Sequence, residues 1–198
     1  MLKYVPMTNE NIFDMVKTQM EIFPSECGYF QNNYAITCEK DYWKYWLVYD
    51  DENNIVAITG LYSDFDITET NSIWLGWFGV RPIFRKSNIG TEVLNFTINE
   101  AYKLAEKYPI KYFRLYTSID ENKTAQILYR KIMDFNEKYD CPNDYNYNNT
   151  CYIWTKILFN DKRVKWNNKC LGLKEIAKQE KIYLKKFLEK ESSKNGKI

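Results

Sequence analysis

Apolar positions along this 198-residue chain recur at two spacings, one strand-like and one helical, and the switches between them mark the elements. Leu2 to Met7 has strand character. Thr8 or Asn9 then stands where a helix N-cap is expected, and Ile12, Phe13, Val16, Met20 and Phe23 recur at helical spacing until Pro24 ends the run. Ser25 to Asp41 is aromatic and polar and predicts one short helix. Tyr45 to Tyr49 and Ile55 to Tyr62 read as strands of a hairpin, joined by the polar turn Asp50-Asp-Glu-Asn-Asn54. After a polar loop, Ser63 to Asn71, the apolar run Ile73-Trp-Leu-Gly-Trp-Phe-Gly-Val80 predicts a central strand. A helix follows, with Ile89, Val93, Leu94, Thr97, Ile98, Ala101, Leu104 and Ala105 on one face. Tyr112 to Tyr116 alternates as a strand. Ser118-x-x-Glu121 then has capping-box spacing ahead of the stripe Ala125, Leu128, Tyr129 and Ile132. Asn136 to Thr150 reads as a long Asn- and Tyr-rich loop, and Tyr152 to Phe159 as a closing strand. The order β-α-α-β-β-β-α-β-α-β, with room for one further strand, defines an α/β or α+β domain.

Composition narrows what that domain does. The length fits one domain with an appendage. No run of eighteen apolar residues occurs, and Met1-Leu-Lys-Tyr-Val-Pro begins on a strand-like segment with no leader, so a soluble cytoplasmic protein without membrane contact is expected. The five cysteines, Cys27, Cys38, Cys141, Cys151 and Cys170, are an odd number without a Cys-x-x-Cys pair, and the chain has no histidine. A disulfide framework, a zinc or other metal site and a Cys-His or Ser-His mechanism are disfavoured. Proton transfer is left to carboxylates, tyrosine, backbone and water.

Two stretches carry the chemistry. Val80-Arg-Pro-Ile-Phe-Arg-Lys-Ser-Asn-Ile-Gly-Thr91 runs from a strand end, through a polar loop, into a helix start. A helix N-terminus offers unpaired N–H groups and the positive end of the macrodipole, which suits a pyrophosphate, and Arg85 and Lys86 add charge there. The same residues also make an ordinary solvated N-terminal turn. The second stretch is Asn122-Lys-Thr-Ala-Gln-Ile-Leu-Tyr129. In combination the two resemble the GNAT superfamily of N-acetyltransferases, over roughly residues 1–160. The family's phosphate loop reads Arg/Gln-x-x-Gly-x-Gly/Ala, against Arg85-Lys-Ser-Asn88-Ile-Gly90 here, with Asn88 in place of the first glycine. Asn accepts positive φ better than other non-glycine residues, so the turn is expected to survive. Val80-x-Pro-x-x-Arg85 and the spacing Asn122, Ala125, Tyr129 also resemble the family; Met133-Asp-Phe135 departs from its usual Gly-Phe.

The resemblance implies a GNAT-like mixed central sheet of six to seven strands flanked by helices, two of whose parallel strands splay apart to admit pantetheine. It implies acetyl-CoA as acyl donor, no metal, and a primary amine of a small molecule or protein as acceptor. Phe78, Gly79 and Val80 would pair with the pantetheine amides, a backbone N–H near Phe78 would meet the oxyanion, and Arg85, Lys86, Ser87, Asn88, Ile89, Gly90 and Thr91 would hold the phosphates. Asn122 would hydrogen-bond the coenzyme arm, and Tyr129 would protonate the leaving thiolate. That transfer is uphill by about 2 kcal/mol unless the site lowers the tyrosine's pKa. Tyr129 also lies on an apolar stripe, where a core role is the simpler reading. No carboxylate lies on the central strand, so Glu69, Asp66, Asp64 or Glu26, or a water chain, must take the amine's proton. That gap keeps open a catalytically weak acyl-CoA-binding sensor or assembly module.

The acceptor is not named by the sequence. Tyr29, Phe30, Tyr34, Tyr42, Trp43, Trp74 and Trp77 are candidate walls of an aromatic pocket for a flat amine or a cation, and equally candidate core. From Lys156 onward thirteen Lys/Arg stand against five Asp/Glu, a balance of +8, while the rest carries −6. Residues 161–198 form a basic extension with the helical stripe Leu173, Ile176, Ala177, Tyr183, Leu184, Phe187 and Leu188. It is expected to dock on its own domain or to form a homodimer, nucleic acid being the minority reading.

Overall fold

Strand and helix alternate much as the apolar spacing demands. The computed structural model describes residues 1–24, 28–37, 42–63, 71–118, 123–140, 150–159 and 161–164. Among these, β1 spans Lys3–Pro6, α1 Ile12–Ile22, α2 Tyr29–Thr37, β2 Trp43–Tyr49, β3 Ile55–Tyr62 and β4 Ser72–Val80. After a 3-10 turn at Pro82–Phe84 come α3 (Ile89–Ala105), β5 (Tyr112–Ser118), α4 (Lys123–Ile132), β6 (Phe135–Asp140) and β7 (Thr150–Ile157). The capping box before α4 and the amphipathic stripe of the extension lie outside the described residues. Helix α1 starts later than its predicted cap: Asn11 occupies the N-cap position, and its side chain accepts from Thr8 N at 2.7 Å and donates to Pro6 O at 3.1 Å.

The strands form one sheet in the order β1-β2-β3-β4-β5-β7-β6. Neighbours are antiparallel except β4 and β5, which are parallel and joined by α3 as a βαβ crossover. β6 occupies the start of what reads as loop. Asn136, Glu137, Lys138 and Asp140 have little intrinsic strand preference, and pairing along β7, from Phe135 with Thr155 to Asp140 with Thr150, makes them a strand. The turn before it needs no glycine. Lys156 Nζ caps the Ile132 carbonyl at 3.0 Å, and Asp134 accepts from Ile157 N at 2.7 Å.

Two apolar layers sandwich the sheet. On one face α3 and α4 bury Leu94, Ile98, Leu104, Tyr129 and Met133 against Leu61, Ile73, Leu75, Phe113, Leu115 and Trp154. On the other, α1 and α2 cover Tyr45, Leu47 and Ile58 with Met15, Ile22 and Ala35. No described helix is long and apolar enough to cross a membrane.

Beyond α1 and α2, this second face carries a buried cation. Arg114, 2% exposed, donates from Nε to Ser72 Oγ at 3.2 Å, from Nη1 to Thr155 Oγ1 at 2.8 Å and from Nη2 to Val164 O at 3.0 Å. Burial lowers its pKa to about 10, opposed by Glu137, whose carboxylate lies 3.8 Å from Nη1. The guanidinium therefore stays charged at neutral pH and holds β4, β5 and β7 to the chain that follows. Arg114→Ala should destabilise the fold by about 3–5 kcal/mol, the usual loss when one member of a buried pair is removed. For a chain of this size that lowers the thermal midpoint by about 10 °C. An unchanged melt would show that the network contributes nothing.

Candidate active site

The site begins where β4 and β5 part. Their pairing covers Ser72 with Tyr112, Ile73 with Phe113 and Trp74 with Arg114, after which Leu75–Val80 has no partner on the β5 side among the described residues. On its other side β4 stays paired to β3, with one irregularity. Trp77 and Phe78 together oppose Thr59, a β-bulge, and Trp77 takes φ 40°, a left-handed conformation more usual for glycine. Thr59 is anchored to α3 by a buried hydroxyl pair, Thr59 Oγ1 to Thr97 Oγ1 at 2.7 Å, with Thr97 donating onward to Val93 O. The bulge thus sits opposite a residue tied to α3.

Below the gap the chain makes the polar loop. Arg81 N donates to Val56 O, its Nη1 to Ile55 O at 2.9 Å and its Nε to Glu21 at 2.6 Å, so the first residue after β4 is tied to β3 and α1. Pro82 opens the 3-10 turn, Arg85 Nε donates to Val80 O at 3.1 Å, and Ser87 Oγ donates to Phe84 O at 2.6 Å. Lys86 and Asn88 have φ 71° and 61°; Asn88 adopts the left-handed turn that its type favours. Asn88 is the N-cap residue of α3 and makes no side-chain cap. Among the described residues, nothing accepts the N–H groups of Ile89 and Gly90. A Cβ built on Gly90 would lie 3.7 Å from Val80 and 3.8 Å from Leu128, so this glycine keeps open the space between the end of β4 and α4. Exposed Arg85 and Lys86, free N–H donors at a helix start and an uncrowded cleft beside an unpaired strand edge are what a pyrophosphate and its amide-bearing arm require.

Tyr129 stands over the same gap from α4. Its ring centroid is 6.3 Å from Phe78 on β4 and 6.0 Å from Trp154 on β7, so it bridges strands that lie on either side of β5. The residue is only 7% exposed, and no described residue hydrogen-bonds its hydroxyl. Burial pushes its pKa well above the ordinary phenol value, opposite to the lowering that easy thiolate protonation would need. It is a persistent hydrogen-bond donor.

The remaining sequence candidates separate. Asn122, Glu69, Asp66, Asp64 and Glu26 lie outside the described residues, as does the side chain of Phe30. Of the aromatic residues, Tyr34, Trp43, Trp74 and Trp77 belong to the α1/α2 side of the sheet, with Tyr34 5.3 Å from Trp43. Tyr29 packs on Phe13 at 6.1 Å instead. Tyr42 packs against the core under α3, where burial raises its pKa to about 12. Sequence reasoning missed Trp154, Phe23 and the Arg81–Glu21 tie; all three depend on contacts between distant segments. No described group of His, Cys, Asp and Glu could hold a metal ion.

A split parallel strand pair, a bulge at the split and a phosphate-type loop at a helix start define an acyl-CoA-binding fold. The sequence model of the acetyltransferase (GNAT) family matches residues 10–135, and the chain belongs to that family. It is an N-acetyltransferase that uses acetyl-CoA. No curated protein sequence matches it significantly. Solved structures with the same fold include the ribosomal-protein-S18-alanine N-acetyltransferase of Escherichia coli, at 11% identity over 84% of this chain and 98% of that one, TM-score 0.61. The Vibrio cholerae spermidine N-acetyltransferase in complex with CoA and spermine matches at 12% identity over 79% and 95%, TM-score 0.61. Arabidopsis thaliana NAA60 in complex with acetyl-CoA matches at 14% over 80% and 99%, TM-score 0.59.

Proposed function

We propose that the acetyl group passes directly from acetyl-CoA to a primary amine in the gap between β4 and β5. The amine nitrogen attacks the thioester carbonyl carbon, the C–S bond breaks to release the CoA thiolate, and the amine's proton passes to a carboxylate or water while the thiolate takes a proton from solvent. Arg85, Lys86, Ser87, Asn88 and Thr91 surround the phosphates, which take the N–H groups of Ile89 and Gly90. Phe78, Gly79 and Val80 pair with the pantetheine amides, and a backbone N–H at the bulge donates to the oxyanion. Tyr129 donates a hydrogen bond to the sulfur as charge develops there, which lowers the barrier without full proton transfer. Holding amine and thioester together contributes more. Asn122 bonds the coenzyme arm, and Glu69 or Glu26, or water held by them, takes the amine's proton.

The observation that carries this reading is the split itself, an unpaired β4 edge leading to the unmet N–H groups at Ile89 and Gly90. Related folds have been solved with CoA and spermine and with acetyl-CoA, which supports an amine acceptor here. We assign the protein to the cytoplasm, with residues 161–198 docked on the domain or on a second copy. Tyr112 donating to Lys162 O at 2.8 Å begins that course.

Calorimetric titration with acetyl-CoA, followed by thiol release against a panel of amines, tests the proposal. Micromolar binding with release is expected. Binding without release from any amine would favour an acyl-CoA sensor or assembly module, the alternative raised by a central strand that bears no carboxylate.

A further inference from the structure

The second face of β5, β7 and β6 is buried, and the described helices do not account for it. Strand alternation places Arg114 of β5, Cys151, Ile153 and Thr155 of β7, and Phe135 and Glu137 of β6 on this face, opposite the layer made by α3 and α4. The registers set them side by side: Thr155 stands between Arg114 and Phe135, and Ile153 beside Glu137. Cys151, Ile153 and Thr155 are each 0% exposed. Helices α1 and α2 lie on the same side of the sheet, yet their contacts fall mainly on β2, β3 and β4. Another part of the chain must exclude water from β7.

The chain that leaves β7 turns back over this face. Lys111 Nζ donates to Asp161 Oδ1 at 3.0 Å, Tyr112 Oη to Lys162 O at 2.8 Å and Arg114 Nη2 to Val164 O at 3.0 Å, so residues 161–164 advance along β5 one residue for one. The Arg163 guanidinium lies 4.3 Å from the Phe135 ring on β6. Val164 is thereby fixed at Arg114, and residues 165–198 follow it. In that segment Leu173, Ile176, Ala177, Leu184 and Phe187 recur at helical spacing, with Lys174, Lys178, Lys181 and Lys185 one position further round. A helix from Leu173 to Phe187 is about 22 Å long and about 10 Å wide. Strands of the length of β5 and β7 run about 23–26 Å, and three strands span about 10 Å, so the dimensions match. The residues between Val164 and Leu173 reach at most about 27 Å, enough to lay the stripe on the same face.

We propose that the apolar stripe of residues 173–188 docks, within the same molecule, on the face formed by β5, β7 and β6, and that Arg114 holds the root of the extension there. The extension is then the missing outer layer of the domain, and its lysines are the solvated side of that layer. This commits the extension to one surface, beyond the choice between its own domain and a second copy. The docking does not depend on the β4–β5 gap, so it and acetyl-CoA binding stand or fall separately. Its own face is favoured over a partner's by the tether: a chain anchored at Val164 keeps the stripe at an effective concentration in the millimolar range, which a second copy at ordinary protein concentration does not approach.

Cys151, a free thiol buried in this face, is the reporter. Full-length protein is treated with N-ethylmaleimide under native conditions, and labelling of Cys151 is followed by peptide mass spectrometry. In the wild type Cys151 should react at least about 100-fold more slowly than in the unfolded chain. The double variant Leu184→Glu/Phe187→Glu puts charge into the stripe and should speed that labelling by about tenfold or more, while Lys178→Glu, off the stripe, leaves it unchanged. A thermal melt of each variant separates loss of docking from loss of the fold. Should the double variant not fold, the wild type decides: trypsin should spare Lys178, Lys181 and Lys185 at high and low protein concentration alike. Rapid labelling of Cys151 in the wild type, continued protection in a folded stripe variant, or prompt cleavage at those lysines would overturn the inference. So would protection of Cys151 that falls on dilution, which would assign the stripe to a second copy.

Discussion

Gly90→Phe is expected to abolish useful acetyl-CoA binding, raising the dissociation constant by about 100-fold or more, equivalent to about 2.8 kcal/mol. Gly90 sits in the first turn of α3, and the direction of its absent Cβ leads between Val80 and Leu128. A benzyl group there fills the space between the end of β4 and α4 and covers the N–H groups proposed to hold phosphate. Gly90→Ala is the informative control. A methyl would meet its neighbours at 3.7 and 3.8 Å, ordinary contact distances, so the protein itself tolerates it and any loss of affinity reports the ligand's own approach. Isothermal titration, with a thermal melt to establish folding, reads both variants. Normal affinity in a folded Gly90→Phe protein would remove this loop from the coenzyme site.

Tyr129→Phe is expected to leave the protein folded and able to bind acetyl-CoA but to lower kcat by about 100-fold, the usual loss when one donor to a developing charge is removed. Stability is spared because no hydrogen bond from the hydroxyl to a described residue is lost. The ring contacts with Phe78 and Trp154 persist in phenylalanine. The pH profile separates the roles further. Burial holds the phenol protonated far into the alkaline range, so the rate should climb as the acceptor amine deprotonates, with no falling limb from Tyr129 below about pH 10. Steady-state kinetics from pH 6 to 10, beside acetyl-CoA titration, would show whether kcat alone responds. Parallel losses in turnover and affinity would mean that the residue only packs.

Phe78, Tyr129 and Trp154 show why this site is only half written in local sequence. Tyr129 lies on an apolar stripe, and its spacing from Asn122 marks it by resemblance, yet the stripe cannot say which strands its ring will bridge. Trp154 reads simply as a strand residue, and meets Tyr129 only because β7 returns beside β5. Tyr42 and Trp43 are adjacent and equally aromatic, but the pleat sends one under α3 and the other toward α2. Composition alone made both candidates for the same pocket.

What the sequence determined by itself are the features whose causes lie within a few residues. The helical and strand periodicities of α1, β2, β3, β4, α3 and β5 belong here, as do the hairpin turn at Asp50–Asn54 and the left-handed turn at Asn88, which an Asn side chain tolerates where few others do. The tertiary structure alone decided the rest. It made β6 a strand through its pairing with β7, ended the β4–β5 ladder after three pairs, forced Trp77 into a left-handed bulge opposite Thr59, and chose which rings share a face. Each of these is an energy of contact between segments tens of residues apart. Local spacing fixes which side of an element is apolar, but the partner that covers it is fixed only when the chain closes on itself.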